Sequence, residues 1–226
     1  MVVISRPNSS SPPFLDVARR LRDLPKRPNF LTVPGDISEV EDPEKIIGAC
    51  KVWRSSSGTE LKIDILVNNA GVEVVKGLGS ITTEDYNTVY DLNVRGTILM
   101  TQAVLPYLPP GGRIINISSV GSRAGFKDLS LYCSSKAAIE GLTRCWAAEL
   151  GHNGTTVNAV NPGPVESEML ANIPKDIVEG QKQATPIENR LGTVEEVAAV
   201  VGWLAGNESR WVTGQTISAS GGWAMY

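Results

Sequence analysis

Tyr132 and Lys136 stand four residues apart, a spacing that puts both side chains on one face of a helix. A phenol titrates at about pH 10, and a nearby ammonium favours the phenolate, making the pair an acid–base device usable near neutrality. Tyr-x-x-x-Lys also arises by chance, so the pair needs companions. Ser118-Ser119 closes an apolar run, where a hydroxyl can face a crevice or bond its own backbone. Asn68-Asn69-Ala70-Gly71 closes another: small and amide residues let a backbone approach a flat ligand, and they equally form an Asn-Gly-type turn. Asn93 interrupts a helical stretch, where its amide competes with the backbone unless it faces solvent. Asn161-Pro162-Gly163-Pro164 forces an abrupt turn. His152 is the single histidine, and Cys50, Cys133 and Cys145 lack metal-ligand spacing. Ser-His-Asp and zinc chemistry therefore have little material.

The elements that must position these residues alternate short β-branched runs with longer helical patterns, the signature of a parallel α/β sheet. Strands are predicted at Val2–Ile4, Phe30–Val33, Ile63–Asn68, Arg113–Ile117, Thr156–Val160 and Gln215–Ser218. The nearly unbroken apolar stretch in Ile63–Asn68 predicts a strand covered on both faces. Helices are predicted at Phe14–Leu24, Pro43–Arg54, Thr83–Leu108, Ser130–Leu150 and Val194–Leu204. Thr-Glu-Asp at the start of the third supplies a capping oxygen and first-turn acids, and Thr193 with Glu196 forms a capping box for the last. Residues 166–190, polar and rich in turn signals just after a strand, are a candidate substrate lid.

At 226 residues the chain is long enough for one domain with a full core. A net charge of −3 with no basic stripe argues against a nucleic-acid partner. No apolar run approaches the roughly 20 residues that cross a bilayer, and no secretory signal is present, so a cytoplasmic protein with reduced thiols is expected. Trp146, Trp203, Trp211 and Trp223 read as core or interface residues, and His152 as a complement to a helix end.

Taken together in order and spacing, Asn68-Asn69-Ala70-Gly71, Asn93, Ser119, Tyr132-Cys133-Ser134-Ser135-Lys136 and Pro162-Gly163 resemble the short-chain dehydrogenase/reductase family. Thr213-Gly214-Gln215 and Ser220-Gly221-Gly222 look like that family's last strand and following turn. The resemblance implies a Rossmann-like doubly wound parallel α/β sheet over residues 1–226. It implies a ketone reduction in which Tyr132 is the general acid and Lys136 lowers the Tyr132 pKa and bonds the nicotinamide ribose. Ser119 would hold the carbonyl oxygen, and Asn93 would anchor a water. Asp36 and Ile37 would contact adenine. Asn69, Ala70 and Gly71 would line the adenine ribose and pyrophosphate, while Val165 and Ser167 would meet the carboxamide beyond Pro162-Gly163. Arg6, where NAD-specific relatives place an acid, favours NADP(H) over NAD(H), unless it is an ordinary exposed arginine. The implied partners are a small carbonyl substrate and further copies of this chain as a dimer or tetramer, with no nucleic acid and no membrane. Val120, Ser122, Phe126 and Pro164, with Met169, Leu170 and Ile173, are the pocket candidates.

One family element is not found. No Thr-Gly-x-x-x-Gly-x-Gly turn occurs, and the chain reads as beginning at the family's second strand, without its first strand and first helix. An incomplete gene model or an alternative transcript is the simplest expectation. Two readings follow: an NADP(H)-dependent carbonyl reductase, or a catalytically silent relative that acts as an interaction or regulatory subunit.

Overall fold

Residues 2–5, 21, 23, 28–167 and 175–226 are described in this computed structural model. The predicted helix Phe14–Leu24 falls almost wholly outside them, as do Arg6, Met169, Leu170 and Ile173. The strands are β1 (Val2–Ser5), β2 (Leu31–Pro34), β3 (Ile65–Asn68), β4 (Arg113–Ile117), β5 (Thr156–Pro162) and β6 (Thr216–Ala219). The helices are α1 (Asp42–Ser55), α2 (Thr83–Tyr90), α3 (Thr97–Val104), α4 (Ser130–Leu150), α5 (Lys175–Gln183) and α6 (Val194–Ala205). They fall into two compact units, Met1–Ile63 with Arg95–Leu108, and Asp64–Val94 with Pro109–Tyr226.

In the first unit β1 and β2 run parallel, Val2 opposite Leu31 and Ser5 opposite Pro34. Pro43 starts α1 where a missing N–H does no harm, and Asp42 and Glu44 complement the helix dipole. Ile46, Ile47 and Cys50 form its buried face. The third predicted helix is broken into α2, a π-helical turn over Asp91–Gly96, α3 and a 3-10 turn over Leu105–Tyr107. Its cap is Thr82, one residue earlier than expected: the Thr82 hydroxyl accepts from Asp85 N at 3.2 Å, and Asp85 accepts from Thr82 N at 2.8 Å. Ile63 leaves the predicted third strand because its N–H donates to Tyr107 O at 2.9 Å.

In the second unit all strands are parallel, in the order β3-β4-β5-β6. Successive residues of β4 point to opposite faces. Ile115 and Ile117 pack with Val160 and Leu204 on the side of α6. Asn116 points the other way and donates to Thr143 Oγ1 of α4 at 2.9 Å. Helices therefore cover both faces, which makes this a Rossmann-like α/β sheet. Asn116 also accepts from Asn68 Nδ2, its register partner on β3, at 2.8 Å. Slipping β3 by one residue would turn Asn68 to the other face and break this buried amide pair, so the pair favours the observed register.

β3 departs from expectation. Leu66 and Asn68 are buried, but Ile65 and Val67 are 46% and 41% exposed, because no described element of this unit covers the face to which they point. Trp203 and Trp211 stand 42% and 96% exposed, so of the two expectations, core or interface, they do not meet the first. α5 lies within the candidate lid segment, where no helix was predicted. Thr193 and Glu196 form the expected box, Glu196 N reaching Thr193 Oγ1 at 3.2 Å and Thr193 N reaching Glu196 Oε2 at 2.8 Å.

Gly163 shows how tightly the turn after β5 packs. A Cβ there would stand 2.7 Å from Ser220 Cβ and 2.8 Å from Ser220 Cα. Backbone on the far side cannot swing away, so Gly163→Ala is expected to destabilise the protein by about 2–3 kcal/mol. Urea unfolding would register this as a lower midpoint with unchanged slope. An unchanged midpoint would contradict the packing described here.

Candidate active site

β4 delivers the chain to the site and α4 answers it. Past Ile117, Ser118 N donates to Val160 O at 2.8 Å, and its hydroxyl donates to the Lys136 carbonyl at 2.9 Å. Ser119 follows in an extended conformation and caps the 3-10 turn Val120–Ser122, accepting from Gly121 N at 3.0 Å. A Cβ on Gly121 would lie 3.2 Å from Cys133 Sγ and from Phe126 Cε2, and 3.3 Å from Ser119 Oγ. This close approach seats the Ser119 turn against the first turn of α4, which carries Tyr132.

Lys136 is 4% exposed, one helical turn beyond Tyr132. Its Nζ donates to Ile117 O at 2.9 Å and stands 5.8 Å from the Tyr132 ring centroid. Burial in this setting lowers the ammonium pKa to about 8. The Tyr132 phenol is raised above its ordinary value, first by burial, with the Ser119 hydroxyl pulling the other way and Glu73 adding to the rise. The expectation that Lys136 lowers the Tyr132 pKa is therefore not met in this geometry. Burial thus favours the protonated form of the Tyr132 phenol.

Asn93 lies in the π-helical turn and is 1% exposed. Turns of this kind recur at functional sites because they redirect one side chain inward. Its Oδ1 accepts from Val72 N and its Nδ2 donates to Val72 O, both at 2.9 Å, and Nδ2 also reaches Ser135 Oγ at 3.0 Å. Ser135 in turn donates to Tyr132 O at 2.7 Å. The Asn93 amide ties the chain after β3 to the Tyr132–Lys136 helix. That chain is Asn69-Ala70-Gly71, exposed at the carboxyl end of β3. A Cβ on Gly71 would sit 3.1 Å from Lys136 Nζ and 3.5 Å from Asn93 Oδ1, so a side chain there would crowd the ammonium.

Ser119, Tyr132, Lys136, Asn93 and Gly71 are thus brought together. Pro162 ends β5, and Gly163 N donates to Ala219 O at 3.1 Å. Val165 bridges to Gly192, while Ser167 is exposed. Asp36 and Ile37 belong to the other unit. The Asp36 carboxylate accepts from Ser38 N and Oγ at 3.0 and 2.7 Å, and Ile37 is buried. Sequence reasoning passed over Glu73 and Glu140 and gave Ser135, quoted within the motif, no role. Glu140 left a signal, since it repeats the four-residue step from Lys136 along one helix face. Glu73 left none.

A Rossmann-like sheet with its polar residues gathered beyond the carboxyl ends of the strands places its chemistry at that edge. A family model described as enoyl-(acyl carrier protein) reductase matches residues 16–224. The dehydrogenase OXI1 of Cochliobolus heterostrophus is 41% identical over 200 residues, which span 85% of this chain and 83% of that protein. Among solved structures, a blue fluorescent protein from a metagenomic library in complex with NADPH superposes with a TM-score of 0.87 at 31% identity, over 99% of this chain and 87% of that one. The angucycline C-6 ketoreductase LanV with bound NADP gives 0.87 at 28% identity, over 97% and 84%. The chain belongs to the short-chain dehydrogenase/reductase family of oxidoreductases. No helix among the described residues is long and apolar enough to cross a membrane.

Proposed function

We propose that this protein uses NADP(H), rather than NAD(H), to reduce a small ketone to a secondary alcohol. The observation that carries the reading is one protonated phenol, one serine hydroxyl and one buried ammonium gathered beside the exposed backbone at Gly71. The relatives crystallised with NADPH and with NADP, one of them a ketoreductase, support the choice of cofactor and reaction.

The residues at the reacting end fit the cofactor. Gly71 leaves an open surface beside Lys136 Nζ that any side chain would fill, and Asn69 and Ala70 continue it. When bound, NADPH supplies the hydride. Tyr132 gives its proton to the substrate oxygen, and burial keeps that proton in place until it is needed. Ser119 donates a hydrogen bond to the same oxygen, stabilising charge as it develops. Lys136 would present a cation to the ribose hydroxyls, Asn93 holds Val72 and the chain beside Gly71 in place, and Pro162, Gly163, Val165 and Ser167 would hold the carboxamide. Asp36, Ile37 and Arg6 belong to the adenine end of the same reading.

Residues 166–190 would serve as the substrate lid. Glu166 N donates to Gly192 O at 3.0 Å and Gly192 N to Pro164 O at 2.9 Å, which ties together the chain on either side of it. The reading also takes the protein as a cytoplasmic homo-oligomer with free thiols. No Thr-Gly-x-x-x-Gly-x-Gly turn occurs in the sequence. That favours a second reading, a silent interaction subunit.

Titration of NADPH followed by nicotinamide fluorescence separates the two. Without a glycine turn to set the pyrophosphate at a helix N-terminus, this chain is expected to bind at least tenfold more weakly than a form carrying that turn. Both forms should consume NADPH with a ketone present. An absence of NADPH binding by either form would overturn the reductase reading in favour of the second.

A further inference from the structure

Glu140 is a carboxylate 4% exposed on α4, one turn past Lys136 and two past Tyr132. Such a charge does not stay buried unless its surroundings are arranged for it. Three neighbours do so. Arg123 Nε donates to Oε2 at 2.9 Å, Asn161 Nδ2 donates to Oε1 at 2.7 Å, and the Ser122 hydroxyl donates to Oε1 as well. The Ser122 proton is shared with the Ser119 carbonyl oxygen, 2.6 Å away. Burial pushes the Glu140 pKa up, but the bonds from Ser122, Asn161 and Arg123 more than reverse this and hold it below the ordinary value.

The donors come from two separate turns. Ser122 and Arg123 close the turn that Ser119 opens, and Asn161 leads into Pro162-Gly163. Asn161 Nδ2 also faces Ser122 Oγ at 3.0 Å and Tyr226 OH at 2.5 Å, and the Arg123 guanidinium stacks 4.1 Å from the Tyr226 ring centroid. A carboxylate accepts and never donates, so its charge decides that the Asn161 amide points its nitrogen inward. One anion on the helix of Tyr132 thereby sets the geometry of both loops that border the reacting carbonyl.

We propose that Glu140 is a positioning residue, whose buried carboxylate holds the Ser119 turn and the Asn161-Pro162 turn at fixed places relative to Tyr132 and Lys136. The inference rests on the reading of Ser119 as the hydroxyl that binds the substrate oxygen. Glu140 touches none of the reacting atoms and acts through Ser122, Arg123 and Asn161.

The test is hydrogen exchange by mass spectrometry on wild type, Glu140→Ala and Glu140→Gln, with steady-state kinetics on the same preparations. In Glu140→Ala, peptides covering residues 118–126 and 160–164 should exchange at least tenfold faster, while β6 and α6 keep wild-type protection. Glu140→Gln retains one acceptor and should recover part of that protection. Where turnover is measured, kcat should fall at least tenfold with KM within about twofold, because the loss is felt where Ser119 meets developing charge. Unchanged exchange in these loops, or a uniform rise over the whole protein, would overturn the proposal. Should Glu140→Ala fail to fold, Glu140→Gln and Ser122→Ala carry the same comparison. Wild type without turnover would overturn the reductase reading and leave the exchange data to decide the role of Glu140.

Discussion

Replacing Tyr132 with Phe is expected to lower kcat a hundredfold to ten-thousandfold, the range for removal of a general acid. NADPH affinity should stay within about twofold. The substitution removes one oxygen and keeps the ring, so the packing of the ring is preserved. What disappears is the only phenolic proton placed against the Ser119 hydroxyl. Ser119 and Lys136 would remain, so residual activity from positioning and charge stabilisation should persist above background. The measurement is NADPH consumption with ketone in excess, set beside a fluorescence titration of NADPH alone. Turnover equal to wild type would show that the proton comes from elsewhere and would remove the central role assigned to Tyr132.

Lys136→Met should separate activity from stability. Turnover is expected to fall at least a hundredfold, since the buried cation is lost from the site. Stability should respond in a pH-dependent way. Burial lowers the folded-state pKa to about 8 from an ordinary 10.5. Below pH 8 the amine carries its proton in both states, and the folded protein bears the full penalty of a buried charge. Between pH 8 and 10.5 the unfolded chain holds more protons than the folded one, so wild-type stability rises with pH there. The rise is on the order of 3 kcal/mol. Methionine cannot titrate, so the difference between wild type and variant should shift toward wild type by that amount over this window. At pH 7 the variant escapes the charge penalty but leaves the Ile117 carbonyl without its donor, a loss of about 1–3 kcal/mol, so the two should be close. Urea midpoints at pH 7 and 10 would check this. Parallel pH profiles would mean that Lys136 is not desolvated as described.

Much of the scaffold was legible because periodicity reports burial on one face or two. Arg113–Ile117 and Ser130–Leu150 have the predicted bounds, since the first is buried throughout and the second repeats its apolar face over many turns. Thr83–Leu108 kept its pattern while its backbone changed type three times. A π-helical turn leaves almost no mark on hydrophobic spacing, so the break around Asn93 was invisible. α5 was missed because none of its residues is buried and its apolar positions are few. The exposure of Ile65 and Val67 could not be read either, for an apolar run looks the same whether or not its second face has a cover.

By itself the sequence determined that Tyr132 and Lys136 share a helix face, by spacing alone, and that Ser119 and Gly71 each follow the end of a strand. Tertiary structure decided how far those groups are removed from water. Burial lowers the proton affinity of Lys136 and raises that of Tyr132. That Asn93 bonds the backbone of Val72 depends on which partner lies nearest once the chain has closed. Desolvation and partner choice depend on residues distant in the chain, and no local pattern records them.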